Sequence, residues 1–203
     1  MEIKSFCGGI GAGIMVGIGG AIFLSCADKT VGAILFSVAL LSICLLGMYL
    51  YTGKIGMLAE DMTAKNALQL PIGLLGNYIG ATLTGVVLSF VRPNLYEAAK
   101  PLAAAKTGNT FVRLLILGLF CGILMYTAVK IYAAKGTVIG ILFCIPVFIL
   151  CGFEHSIADM FYLAAARQFG WQSLRVLLAV VLGNTAGGLL LPLLLHTRKP
   201  KEA

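Results

Sequence analysis

The chain carries only 2 His and 8 Asp plus Glu, so an acid or an imidazole inside an apolar stretch stands out. The sharpest pair is Glu154-His155, within Gly152-Phe153-Glu154-His155-Ser156-Ile157-Ala158-Asp159-Met160-Phe161. It follows an uncharged run from Gly136 to Phe153. An ionisable residue at membrane depth is costly and marks a pathway, a relay or a paired charge. Histidine changes charge near neutral pH, so His155 suits proton exchange with a permeating acid or base. The competing reading is a loop histidine that bonds a backbone carbonyl. Glu154 suits a structural part, accepting hydrogen bonds and holding a loop. A second polar segment, Tyr51 to Met62, contains Thr52, whose hydroxyl can donate to His155 or to an anion. Lys106 follows three alanines and on composition alone reads as a helix-end lysine with its stem in apolar surroundings. Phe36 and Leu40 lie four apart on one helix face, and Phe148 precedes His155. Such residues form apolar constrictions that gate by dewetting, or they pack a core. Asn77 and Asn184, each inside an apolar run, suit helix-to-helix hydrogen bonds. The 6 Cys have no C-x-x-C spacing and no histidine companions, so no metal site is expected. No H-E-x-x-H motif occurs, and neither an enzyme nor a cofactor is expected.

The elements that must hold these residues are legible from composition. Of 203 residues, 60% are hydrophobic and 11% charged, against about 25% charged in a soluble domain. Mean hydropathy is +0.99. Such a chain cannot cover a water-facing surface, which excludes a soluble enzyme, a nucleic-acid-binding domain and a disordered tail. The formal net charge of +7 reflects Lys and Arg between apolar runs, where they anchor helix ends. A membrane span needs about 20 apolar residues. Six candidate runs occur: 5–27, 31–53, within 66–91, 113–129, 136–153 and 176–197. The first is longer than a signal-peptide core and has no cleavage site, so no cleavable signal is expected. Basic residues divide almost evenly between alternate loops, with a slight lean to both termini on the inside.

The polar segments after runs two and five correspond. Ala59-Glu60-Asp61-Met62 matches Ala158-Asp159-Met160, Gly76-Asn77-Tyr78-Ile79-Gly80 matches Gly183-Asn184-Thr185-Ala186-Gly187, and Gly13-Ile14 matches Gly122-Ile123. Three matches in one order predict two three-helix halves, approximately 1–97 and 98–203, in a single transmembrane domain spanning 1–203. Three spans per half require the second half to be inverted. Inverted repeats with an interrupted helix in each half are a transporter and channel architecture. The expected fold is therefore all-α, with six transmembrane helices and broken second and fifth helices.

With Gly-Phe-Glu-His-Ser at 152–156, Thr52, Lys106, Phe36, Leu40, Phe148 and a Gly-Asn-x-x-Gly pattern in run six, the chain resembles the formate/nitrite transporter family over nearly its whole length. The resemblance implies an aquaporin-like fold and a homopentamer with one pore per subunit. It implies a central His155 hydrogen-bonded through Thr52 between two hydrophobic slits lined by Phe36, Leu40, Tyr51 and Phe148. It places Lys106 in an outer vestibule, attracting anions, with Glu154, Asn184 and Asp159 supporting the loops. This sequence departs from the family pattern at Gly122 and Asp159, where the family usually has asparagine, and in having about four residues before the first span.

The expected function is passage of small monovalent weak-acid anions (formate, nitrite, hydrosulfide or a short carboxylate), as anion or neutral acid, with proton exchange at His155. Protons, the anion and the lipid bilayer are the expected partners, and nucleic acid is not. The resemblance implies a multi-pass protein of the bacterial inner membrane, and the lean in loop charge places both termini in the cytoplasm. The alternative is an aquaporin-like pore for water, glycerol or ammonia, although no Asn-Pro-Ala box occurs at either interruption.

Overall fold

The computed structural model describes residues 2–60 and 63–195. Nine helices form among the described residues: α1 Glu2–Ser25, α2 Lys29–Leu45, α3 Tyr51–Glu60, α4 Ala64–Val91, α5 Pro93–Gly108, α6 Phe111–Lys135, α7 Ile139–Leu150, α8 Ser156–Ala165 and α9 Trp171–Leu194. Four of them, α1, α4, α6 and α9, are long and apolar enough to cross a membrane alone. The remaining spans are made of half-helices in series, α2 with α3 and α7 with α8. Helices satisfy every backbone group internally, which the bilayer interior demands.

The two breaks fall where the chain can turn. After α2 the helix is interrupted at Gly47 (φ 65°), and after α7 at Gly152 (φ 68°), a region that side chains with a Cβ rarely adopt. The first break lies at 46–50, N-terminal to the polar segment that the sequence suggested for it. Tyr51 to Glu60 is helical instead, and Thr52 sits in the first turn of α3. Asp61 and Met62, half of one repeat match, lie outside the described residues, as does His196. A helix was also unforeseen between the third and fourth spans. Pro93 begins α5 at a position where its missing N–H costs nothing, and the helix carries Lys106. Among the caps, Asp28 accepts from the Thr30 and Val31 N–H groups at 2.7 and 3.3 Å. These backbone bonds hold its carboxyl below the usual carboxylate range.

Small residues let the long helices approach closely. A Cβ on Gly9 would lie 3.1 Å from Gly76 Cα, and one on Gly118 would lie 3.2 Å from Gly183 Cα. The α1–α4 crossing in the first half is therefore reproduced by α6–α9 in the second. Close backbone contact of this kind drives association where lipid removes the hydrophobic drive. The half-helices exchange partners: α3 packs on α6 and α9, while α8 packs on α1 and α4. α2 and α7 meet through Phe36 and Phe148, whose ring centroids are 6.4 Å apart, edge to face. The outward surface is apolar, with Leu35, Leu83, Phe90, Val112, Phe143 and Leu178 exposed.

Candidate functional site

Two asparagines hold the breaks open. Asn184 of α9 donates from Nδ2 to Gly118 O at 2.8 Å and to Glu154 O at 2.9 Å, and its Oδ1 accepts from Ser156 N–H at 2.9 Å. Asn77 of α4 repeats this pattern. Its Nδ2 donates to Gly9 O and Tyr49 O, both at 2.8 Å, and its Oδ1 accepts from Tyr51 N–H at 2.9 Å. Each amide thus joins two crossing helices and also caps the half-helix that restarts after the break. Lipid offers the break groups no hydrogen bonds, and these side chains satisfy them from within the protein. The helix-to-helix role expected for both residues is one part of a three-bond clamp.

Between the clamps the two half-helices meet. His155 precedes α8 as its N-cap, and its Nδ1 accepts from Ala158 N–H at 3.2 Å. A neutral imidazole has one donor and one acceptor. With Nδ1 accepting, the proton is on Nε2, which donates to Thr52 Oγ1 at 2.9 Å. Thr52 is therefore an acceptor here rather than the donor that its sequence context suggested. Its own hydroxyl proton is not used in this bond. Phe148 stacks on the imidazole at 5.7 Å between centroids. His155 and Thr52 are buried, 3% and 0% exposed.

Two cavities approach this pair. One, of about 220 Å³, is lined by Phe36, Phe148, His155, Lys106, Asp159 and Tyr162 among others. The other, of about 190 Å³, is lined by Leu40, Ile43, Leu50, Gly53, Lys54 and Tyr132 among others. Phe36 and Leu40 are one turn apart on α2, and each faces a different cavity. Leu50 and Gly53 flank Thr52, so the His155–Thr52 bond lies between the two. Tyr51 lines neither cavity. Its hydroxyl is 2.6 Å from Thr185 Oγ1, and its ring packs with Ile55 and Leu70, because the residue after Leu50 points to the α4 and α9 side.

Lys106 is not an open vestibule lysine. It is 7% exposed, and its ammonium pairs with Glu154 and lies 2.7 Å from Asp159 Oδ1. Tyr162 covers it, with the ring centroid 5.6 Å from Nζ. The Glu154 carboxylate pairs with Lys106 of α5, and its backbone carbonyl, bound by Asn184, holds the loop. Gly122 lines neither of these two cavities. A Cβ there would press on the Asn184 carbonyl and lie 2.9 Å from Gly188 N. The departure at Gly122 therefore reflects the tight α6–α9 crossing beneath the clamp. Sequence reading missed Tyr162, Leu50 and Phe23. The spacing 155, 159, 162 places Tyr162 on the same α8 face as His155 and Asp159, a signal that was available. Leu50 and Phe23 carry no such signal.

Buried half-helices meeting between the two clamps, with an apolar constriction and a cavity on either side, define a membrane transport protein with a narrow path through the chain. The comparisons agree. Residues 2–197 match the family described as Formate/nitrite transporter, and the chain belongs to that family. It is 27% identical over 180 residues to a formate-nitrite transporter of Plasmodium vivax, covering 75% of this chain and 58% of that protein. It is 29% identical over 181 residues to an uncharacterized transporter of Bacillus subtilis, covering 79% of this chain and 68% of that one. The chain thus spans between about half and two thirds of the length of these relatives. Among solved structures, a pentameric formate channel with formate bound superposes with a TM-score of 0.83 at 23% identity, over 96% of both chains.

Proposed function

We propose that the chain is a single channel domain over residues 1–203, with halves of approximately 1–97 and 98–203, passing small monovalent weak-acid anions. Formate, nitrite, hydrosulfide and short carboxylates fit this reading. The observation that carries it is the pair of cavities on either side of His155–Thr52, each lined by a residue of α2: Phe36 with Phe148 on one side, Leu40 with Leu50 on the other. Desolvating a bare anion in such an apolar constriction costs several kcal/mol or more, so the neutral acid is the favoured crossing species. Lys106, Lys54 and the two cavities bring the anion close. His155 exchanges the proton at the centre. In the resting geometry Nε2–H points to Thr52, so accepting a proton at Nδ1 breaks the Ala158 cap. The imidazolium is then short-lived, and the cap returns when Nδ1 releases its proton.

A homopentamer in the bacterial inner membrane, with both termini cytoplasmic, is the assembly we propose. It is supported by the apolar outer surface and by the pentameric state of the structural neighbour. Native mass spectrometry of detergent-solubilised protein checks it, and a monomer in mild detergent and in cross-linked membranes counts against it.

The test of function is flux in proteoliposomes with formate, nitrite, hydrosulfide and glycerol across a pH series, with His155→Ala beside wild type. Weak-acid flux that rises as pH falls, with a changed pH dependence in His155→Ala, is the expected result. Glycerol flux without anion flux would refute it. An unchanged pH profile in the variant would remove His155 from the proton step.

A further inference from the structure

Resting on the weak-acid reading above, we propose that Glu154 and Asp159 share one exchangeable proton beside Lys106, and that this pair protonates the anion in the Phe36–Lys106 cavity. Four observations carry it. The cluster holds two carboxylates against one ammonium, all of them buried: Glu154 6%, Asp159 1% and Lys106 7% exposed. Lys106 Nζ contacts both carboxylates. Asp159 Oδ2 has no hydrogen-bond partner among the described residues. All three side chains line the same cavity, together with His155.

The charge count decides the protonation. With every group ionised the cluster carries an excess negative charge, buried next to apolar walls. Two like charges on one site do not both ionise, and one proton is retained between them. No other cation faces Asp159 from the described elements packed around it. From α5 comes Lys106, from the N-cap of α8 His155, from α8 itself Tyr162, and from α6 Cys121. His155 is neutral when its Nδ1 accepts from Ala158, so it adds no charge. With the proton in place the cluster is neutral overall and Lys106 is not outweighed, so an anion can approach. Without it the site repels anions.

The step balances simply. The anion enters and the carboxylic O–H bond breaks while an O–H bond forms on the anion. The neutral acid crosses the constriction at Phe36, Phe148, His155 and Leu40. The carboxylate pair regains its proton from cavity water. Neither oxidant nor co-reactant is needed. The family's usual residue at Asp159 is an amide, which cannot hold this proton, so the step belongs to this chain's own residue.

The experiment uses the intact protein in lipid. Infrared difference spectra at pH 7 record the C=O stretch of an un-ionised carboxyl, which moves in heavy water. We expect that band in wild type and its loss in Asp159→Asn and in Glu154→Gln. Formate flux is measured in the same vesicles. At pH 7 Asp159→Asn should lose about a hundredfold of the flux, the low end of general-acid contributions. The loss should shrink toward nothing at low pH, where bulk formic acid supplies the neutral species. Asp159→Glu should recover the band and most of the flux. A wild type without the band overturns the proposal. So does a variant whose flux matches wild type at every pH, or falls equally at every pH. Should formate not cross at all in wild type, the functional reading fails. The infrared band then still decides whether the proton is held.

Discussion

Replacing Asn184 by alanine is the most direct probe of how the fifth span is held open. Asn184 is fully buried, and its amide makes three bonds: to Gly118 O at 2.8 Å, to Glu154 O at 2.9 Å, and from Ser156 N–H at 2.9 Å. Hydrogen bonds between membrane helices average about 0.6 kcal/mol each, which sets a floor of about 2 kcal/mol for the three. Leaving each buried group unsatisfied costs about 1–3 kcal/mol. Gly118 O also serves α6 as an ordinary helix carbonyl, so its loss is partial. Glu154 O and Ser156 N–H lie at the break itself, where only a cap serves them. We expect about 3 kcal/mol of destabilisation, between these limits. The readout is thermal unfolding in detergent with flux in vesicles measured beside it. Flux should fall too, because Glu154 and Ser156 flank His155 on both sides. Asn77→Ala should cost a similar amount, since Asn77 makes the mirrored bonds to Gly9 O, Tyr49 O and Tyr51 N–H. An Asn184→Ala protein within about 0.5 kcal/mol of wild type, the range of an ordinary surface change, would show that the clamp does not hold the break.

Two further outcomes follow from the same geometry. Phe36→Ala removes the ring that meets Phe148 at 6.4 Å. It should cost about 3 kcal/mol as a large-to-small change and raise acetate flux relative to formate several-fold; unchanged selectivity would show that Phe36 does not set the constriction. Gly122→Val would drive a side chain into the Asn184 carbonyl and toward Gly188 N at 2.9 Å. Overpacking of this kind costs about 1–3 kcal/mol. It should lower the melting temperature and weaken the Asn184 clamp, whereas a wild-type melting curve would show that the α6–α9 contact is looser than the structure has it.

Much of this molecule was written in the order of its residues. Composition alone demanded membrane helices, because 11% charged residues cannot coat a soluble surface. The repeated Gly-Asn-x-x-Gly segments and the two polar interruptions showed two halves with a broken helix each. Glu154-His155 stood out because the other His, His196, lies at the far end of the last run. Local rules place these features, since apolar length, turn glycines and helix caps act within a few residues along the chain. What the chain order left open depends on contacts between distant residues. Which nitrogen of His155 carries the proton follows from Ala158 and Thr52 together. That Lys106 is buried between Glu154 and Asp159 needs α5 to pack on α8, which no local pattern predicts. Tyr51 and Thr52 are neighbours in sequence, yet one points to Thr185 and the other to His155, because successive residues of a helix face different sides. Short-range chemistry fixed the helices and their breaks, and the long-range packing of two interleaved halves decided which side chains meet at the centre.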